Sequence, residues 1–254
     1  MRLLNHKVLG EGQPLVILHG LFGSLDNWIT LGKKWSESYQ VILVDQRNHG
    51  HSFHDEEFSY WAMSEDLKEL LDELNVSQIN LIGHSMGGKT AMTFAERYPQ
   101  YLDKLIVADI GPKAYPVHHS TIINAFYEVP VEELKSRNEA DEVLKHLIPE
   151  FGTRQFLLKN LARTSEGFKW KMNLDVIARN IEEVGKLTSP SSPYDGNTLF
   201  INGGNSDYIL PEDLVEIKKG FVNASFHTLE NAGHWLHAEK PAEFFEAVNQ
   251  FLKS

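Results

Sequence analysis

The segment Gly83-His84-Ser85-Met86-Gly87-Gly88 sets a serine between two glycines at the spacing G-x-S-x-G. It directly follows a short apolar run, Ile79-Asn80-Leu81-Ile82, and a helical pattern begins immediately behind it. A tight strand-to-helix turn lifts the serine hydroxyl above the sheet edge, and small flanking residues let the strained backbone pass its neighbours. The helix N-terminus brings free N–H groups and positive dipole towards developing negative charge. The chemistry is nucleophilic attack by Ser85. The bare pattern is weak, since three fixed residues at roughly 7% each give on the order of 0.1 chance matches per chain of this length. A serine cap in a glycine-rich turn is the competing reading, and the strand–helix setting weighs against it.

A serine hydroxyl needs a base. The chain has 12 histidines, so position must choose among them. His234 lies in Asn231-Ala232-Gly233-His234-Trp235, between the last expected strand and the last helix, where an imidazole can swing over the serine. His237 reads as structural. Attack on an acyl carbon also makes an oxyanion that needs preorganised donors. One is the backbone N–H after the nucleophile, Met86; the other comes from His19-Gly20-Leu21-Phe22-Gly23-Ser24 after the first buried strand. Leu21 is favoured there, with Phe22 the alternative, and His19 holds the loop.

These residues must be positioned by the elements around them. Leu15–Leu18, Val41–Val44, Ile79–Ile82 and Leu105–Ala108 are continuous apolar runs, which suit strands covered on both faces of a parallel sheet. Met63, Leu67, Leu70, Leu71 and Leu74 recur at helical spacing, and Met86–Arg97 forms a second helix ending before Pro99. The alternation predicts a doubly wound, mostly parallel α/β sheet. From Gly111 to Pro190 the pattern turns to several helices, with apolar groups Ile122, Ile123, Phe126, Tyr127 and Phe151, Phe156, Leu157, Leu158. Strands return at Thr198–Ile201 and Ser225–Leu229, with helices near Pro211–Lys219 and from Pro241 onward. The expectation is an α/β core of 1–110 and 191–254 with a helical cap, 111–190, inserted in it; ordinary core helices are the alternative.

Composition narrows the function. The chain has 254 residues, 42% hydrophobic and 23% charged, as globular domains do. Its formal net charge of -11 disfavours a nucleic-acid partner, because an acidic surface repels phosphate backbones. With no cysteine, thiolate catalysis and disulfides are excluded. No secretory leader pattern and no run of ~18 apolar residues is present, so a cytoplasmic protein without membrane spans is expected. The pair His118-His119 lacks matching carboxylates and reads as solvent-exposed rather than metal-binding. His49-Gly50-His51 reads as a turn beside the site, and Asp45 as structural with Arg47 to pair with. The cap aromatics Phe126, Tyr127, Phe151, Phe156, Phe168 and Trp170 read mostly as core. No glycine-rich nucleotide cradle is present.

Together, His19-Gly20-Leu21-Phe22-Gly23-Ser24, Asp45-Gln46-Arg47-Asn48-His49-Gly50, Gly83-His84-Ser85-Met86-Gly87-Gly88-Lys89 and Gly203-Gly204-Asn205-Ser206 resemble the α/β-hydrolase superfamily. The likeness is greatest to the bacterial YbfF-type esterases and their mitochondrial relatives. The resemblance implies a carboxylesterase acting on short acyl esters, with acyl-CoA thioesters as a further class, a helical cap over the serine, and no cofactor; no metal site is expected. It also frames the third member of the triad, which fixes the imidazole tautomer. In most of the superfamily that acid follows the strand at Thr198–Ile201, but the count from Gly203 lands on Ser206. Asp207 is one residue too far. Asp109, in Val107-Ala108-Asp109-Ile110-Gly111-Pro112, stands where the YbfF-type pattern has its Asp, so Asp109 is the favoured acid and Asp207 the alternative. Other chemistry on the same site (lyase, C–C hydrolase, perhydrolase) or a small-molecule receptor are rival readings, since fold alone does not separate them.

Overall fold

The computed structural model describes residues 2–117 and 119–254. In chain order, strands β1 (His6–Leu9) and β2 (Gln13–Leu18) lead to helix α1 (Ile29–Trp35), β3 (Tyr39–Val44), α2 (Tyr60–Glu73), β4 (Ile79–His84), α3 (Met86–Arg97) and β5 (Leu102–Ala108). The following stretch carries α4 (Ser120–Glu128), α5 (Arg137–Lys145), α6 (Phe151–Leu158), strands β6 (Leu161–Thr164) and β7 (Gly167–Trp170), α7 (Leu174–Arg179) and α8 (Ile181–Val184). The alternation resumes with β8 (Asn197–Gly203), α9 (Asp213–Gly220), β9 (Ala224–Leu229), α10 (Leu236–Glu239) and α11 (Pro241–Lys253).

The main sheet has the order β1-β3-β2-β4-β5-β8-β9. Only β1 runs antiparallel to its neighbour. The apolar runs occupy the covered interior strands: every residue of β4 is buried, and Leu15–Leu18 and Val41–Val44 are too. Chain direction across the sheet reverses where β2 lies between β3 and β4. In open α/β sheets the crevice outside the strand ends at such a switch point is where ligands bind. Ser85 follows β4 and Leu21 follows β2, so both stand at that crevice.

Two helical layers cover the sheet. On one face Leu67, Leu70 and Leu71 of α2 and Ala91, Phe94 and Ala95 of α3 pack on Val16, Leu81 and Val107. On the other, Trp28, Leu31 and Trp35 meet Phe244, Val248 and Leu252 of α11 over Ile17, Ile82 and Ile106. A third cluster joins the stretch between β5 and β8 to the sheet-bearing part: Phe126, Leu144, Leu157 and Ile177 pack with Leu21, Phe22, Met63 and Met86.

Three details depart from the sequence reading. The edge strand β1 was not expected, because only a half-exposed HKVL segment marks it. The stretch from 111 to 190 is not purely helical: β6 and β7 pair antiparallel, Leu161 opposite Trp170 and Thr164 opposite Gly167, and four-residue strands are too short to show a period. Of its aromatics, read as mostly core, two stand outside it. Tyr127 is 53% exposed and Phe151 65% exposed, while Phe126 is buried. Each helix there buries one stripe, and these two rings lie outside it. No helix among the described residues is long and apolar enough to cross a membrane.

Candidate active site

Ser85 occupies the turn between β4 and α3 with φ of 52° and ψ of -118°. Such a conformation is costly for a residue with a Cβ and persists only where the surroundings enforce it. The enforcement comes from close backbone packing. A Cβ on Gly83 would stand 2.2 Å from the Gly87 carbonyl oxygen, and one on Gly87 would stand 2.5 Å from that of Leu18. The Ser85 N–H donates to the Ala108 carbonyl at 3.0 Å, which ties the turn to β5.

His234 Nε2 lies 3.0 Å from Ser85 Oγ, and His234 Nδ1 lies 2.8 Å from Asp109 Oδ2. The three side chains come from three separate strand ends, 125 and 149 residues apart in sequence along the two bonds. Asp109 is fully buried, and Asp207 is exposed with no hydrogen bond to His234. Asp109 also accepts the Gly203 N–H at 2.9 Å and the Ser206 hydroxyl at 2.5 Å. Thus the serine standing where an acid is usual in the superfamily donates to the acid that stands elsewhere. A buried carboxylate is stable only with such partners.

Further residues fix the imidazole. Tyr208 stacks on it, ring centres 4.0 Å apart at 18°. The His84 Nε2–H donates to the His234 carbonyl at 2.8 Å, while Gly233 N–H donates to Glu239 at 2.7 Å. His237 is buried and stacks on Trp28 at 4.2 Å, a packing position away from the serine. Burial holds His84 and His237 well below the usual histidine range, His237 at about 3, with neighbouring histidines adding to the effect.

The loop after β2 is shaped by two more buried histidines. The His19 Nδ1–H donates to the Gly20 carbonyl at 2.8 Å, and its Nε2 accepts the Gln46 N–H at 3.0 Å. His49 Nδ1–H donates to the Arg47 carbonyl at 3.0 Å, and Nε2 accepts the Phe22 N–H at 3.2 Å. Burial pushes His49 down to about 3, so it stays neutral and Nε2 keeps its lone pair for Phe22. The Phe22 N–H is therefore committed. The N–H groups of Leu21 and Met86 donate to no acceptor among the described residues; Leu21 lines the same cavity as Ser85, and Met86 follows Ser85 in the chain. His49 thus does more than sit in a neighbouring turn. Asp45 is structural, but its partners are Asn5 and the Leu25 and His51 N–H groups; Arg47 pairs instead with Asp66 at 2.6 Å. Arg47 reaches past the strand end to α2, a contact invisible in local sequence.

Two cavities meet at Ser85. The larger, about 210 Å³, is walled mainly by apolar groups, among them Leu21, Phe22, Ile122, Phe156, Leu157 and Trp235. The smaller, about 20 Å³, lies against Met86, Lys89, Tyr60 and Tyr115. His119 lines both and is half-buried, its ring 6.3 Å from that of Phe22, contrary to the expected solvent exposure. α4, which His119 directly precedes, packs Ile123 and Phe126 against Leu21 and Phe22 and brings it there. His118 lies outside the described residues. Among the described residues no three His, Cys, Asp or Glu side chains gather as a metal ion would require. The arrangement offers a hydroxyl in contact with an imidazole, a buried carboxylate behind it, two free N–H groups, and an apolar cavity. Tyr208, His84, His49 and Lys89 were not singled out from sequence as functional. His84 and Lys89, within the serine motif, and His49, within Arg-Asn-His-Gly, carried a signal; Tyr208 carried none.

Residues 13–241 match the model of the alpha/beta hydrolase fold family. The sn-1-specific diacylglycerol lipase ABHD11 of Mus musculus is 42% identical over 246 residues, covering 94% of this chain and 80% of that protein. The esterase YbfF of Escherichia coli (strain K12) is 36% identical over 244 residues, covering 95% of this chain and 94% of its own. A solved structure described as a marine microorganism esterase superposes with a TM-score of 0.96 at 42% identity, over 99% of this chain and 100% of the other. With the switch-point crevice, the serine turn and these matches in hand, the chain belongs to the α/β-hydrolase fold family.

Proposed function

We propose that this protein is a serine carboxylesterase that hydrolyses short-chain acyl esters through an acyl-enzyme. The observation that carries the reading is the continuous hydrogen-bonded line from Ser85 Oγ through the His234 ring to Asp109. Similarity to proteins named esterase and lipase supports ester hydrolysis. His234 Nε2 takes the hydroxyl proton as Ser85 Oγ bonds to the acyl carbon. Asp109 holds Nδ1 as the donor, so the lone pair faces the serine, and its charge stabilises the imidazolium. The oxyanion sits between the Leu21 and Met86 N–H groups; a donor of this kind contributes about 10²–10³ in kcat. His234 then protonates the departing alcohol. Water, deprotonated by the same imidazole, attacks the acyl carbon; the acyl–Oγ bond breaks, the imidazolium returns its proton to Ser85 Oγ, and the acid leaves.

In this reading 111–190 acts as a cap over a core formed by 1–110 and 191–254. The apolar cavity takes the acyl chain, and its about 210 Å³ favours short chains. Acyl-CoA thioesters enter as a second class, since the same steps cleave a C–S bond. Each step is carried by side chains and N–H groups of this chain. The test is a chain-length series of p-nitrophenyl esters and acyl-CoA thioesters on wild type and Ser85→Ala. Loss of turnover with an unchanged circular-dichroism spectrum is expected. Undiminished ester turnover by Ser85→Ala would overturn the reading.

A further inference from the structure

Lys89 closes the serine motif, yet the steps above make no use of it. It lies one helical turn beyond Ser85 on α3, its N–H bonded to the Ser85 carbonyl at 3.0 Å, and it is fully buried. Two other buried cations have carboxylate partners: Arg47 has Asp66 and Arg154 has Asp141. Among the described residues no carboxylate forms an ion pair with Lys89. Its Nζ donates instead to two carbonyls, Lys113 O at 2.9 Å and Lys186 O. The rings of Tyr115 and Tyr60 face it at 5.0 and 5.9 Å.

The two carbonyls belong to the two stems that join the stretch between β5 and β8 to the sheet. The stems are also zipped together: Thr188 N–H donates to Pro112 O and Tyr115 N–H to Gly185 O, both at 2.8 Å. Tyr60 on α2 adds a bond from its hydroxyl to Val184 O at 2.8 Å. An unpaired buried ammonium is costly, and burial pushes this one down to about 7. An apolar residue of similar length would fill the space at less cost. What it would not do is bind two separate stems at one point on the helix that starts at Ser85.

We infer that Lys89 is a positioning residue: its ammonium fixes both stems of the inserted stretch to the nucleophile helix, so that the acyl-cavity wall keeps one geometry relative to Ser85. The inference rests on the esterase reading above. That stretch supplies Ile122, Phe156 and Leu157 to the cavity, and misplacement of a wall by an ångström is enough to spoil alignment of the reacting atoms. A longer acyl chain touches more of this wall than an acetyl group does. Lys89 therefore acts on the discrimination between chain lengths as well as on rate.

The test compares wild type with Lys89→Met using p-nitrophenyl acetate and butyrate, and follows backbone hydrogen exchange by mass spectrometry. Expected are a tenfold or larger fall in kcat/KM for butyrate, a butyrate-to-acetate ratio that drops at least threefold, and faster exchange confined to 111–117 and 184–188. Because the chain has no cysteine, Lys89→Cys can be aminoethylated while unfolded and refolded, restoring an ammonium at nearly the native length; this restores the ratio. If Lys89→Met does not fold, Lys89→Gln, whose amide is too short to span both carbonyls, decides, with the same changes at two- to fivefold. A ratio within 1.5-fold of wild type, or exchange raised equally in β4 and β5, overturns the inference. Labelling of Ser85 by a fluorophosphonate in wild type and Lys89→Met reports on the esterase reading separately.

Discussion

Replacing Asp109 by Asn separates the two carboxylates that the sequence left in competition. Asp109 is fully buried and 2.8 Å from His234 Nδ1. In the transition state the imidazole becomes a cation, and the facing carboxylate charge, about 4 Å from the ring's centre of charge, contributes about 4 kcal/mol at an effective dielectric constant of ~20. Losing it costs about 10³ in kcat. Asn brings a second fault. The Gly203 N–H and Ser206 hydroxyl both need an acceptor at this position, so the amide oxygen is held by them and the NH₂ faces His234. The imidazole must then accept at Nδ1 and carry its proton on Nε2, the wrong tautomer to deprotonate Ser85; the combined loss is about 10³–10⁴. Asp207 is exposed, so Asp207→Asn should stay within about twofold of wild type, as surface substitutions usually do. The assay is p-nitrophenyl butyrate turnover at saturating substrate, normalised to active sites titrated with a fluorophosphonate. Asp109→Asn retaining more than a tenth of wild-type kcat, or Asp207→Asn losing more than Asp109→Asn, would refute this account of the acid.

Ser206→Ala removes one charge-assisted bond to Asp109 and leaves the one from Gly203, so kcat should fall by about tenfold, for about 1.5 kcal/mol, with KM unchanged; an undetectable effect would show that Ser206 does not support the carboxylate. Acid should destabilise the fold through its buried neutral histidines. Below pH 6.5 the unfolded chain takes up protons that His49 and His237 refuse until about pH 3, so stability falls as pH drops through that window by up to about 1.4 kcal/mol per pH unit for each. His237 has a buried Nδ1 with no partner among the described residues, so His237→Phe should flatten the slope of urea-unfolding stability between pH 6.5 and 4.5; an unchanged slope would contradict the assignment. Trp235→Ala should enlarge the acyl cavity and shift the optimum of an ester series to longer chains by two or more carbons, and an unmoved optimum would place the acyl chain elsewhere.

The interior of the sheet was legible in the sequence because strands buried on both faces have no polar face to write. β4, with all its residues buried, is the clearest case. The edge strand β1 and the pair β6–β7 were not legible, since four residues with one open face carry neither a run nor a period. In the candidate site, Ser85 and His234 could be anticipated because each lies just after a strand end, and the parallel sheet brings those ends to one edge; Asp109 and Asp207 both follow strand ends, so only the resemblance to YbfF-type esterases favoured Asp109. What stayed hidden were partners set by tertiary packing. Arg47 turns to Asp66 rather than Asp45 because α2 offers a buried carboxylate beside it. Tyr208 stacks on His234 where the loop after β8 is tied to the β9 end, Gly204 N–H to Leu229 O and Asn205 N–H to Ala232 O. The commitment of the Phe22 N–H to His49, which leaves Leu21 free, depends on a contact spanning 27 residues.

In the proposed reaction Ser85 carries the acyl group between its two halves. Rapid-quench mass spectrometry with p-nitrophenyl butyrate tests it most directly. A burst of about one p-nitrophenolate per chain is expected, with a butyryl adduct on the peptide containing Ser85 that is absent from Ser85→Ala. Steady turnover by Ser85→Ala at the wild-type rate, or an adduct on a different residue, would contradict it.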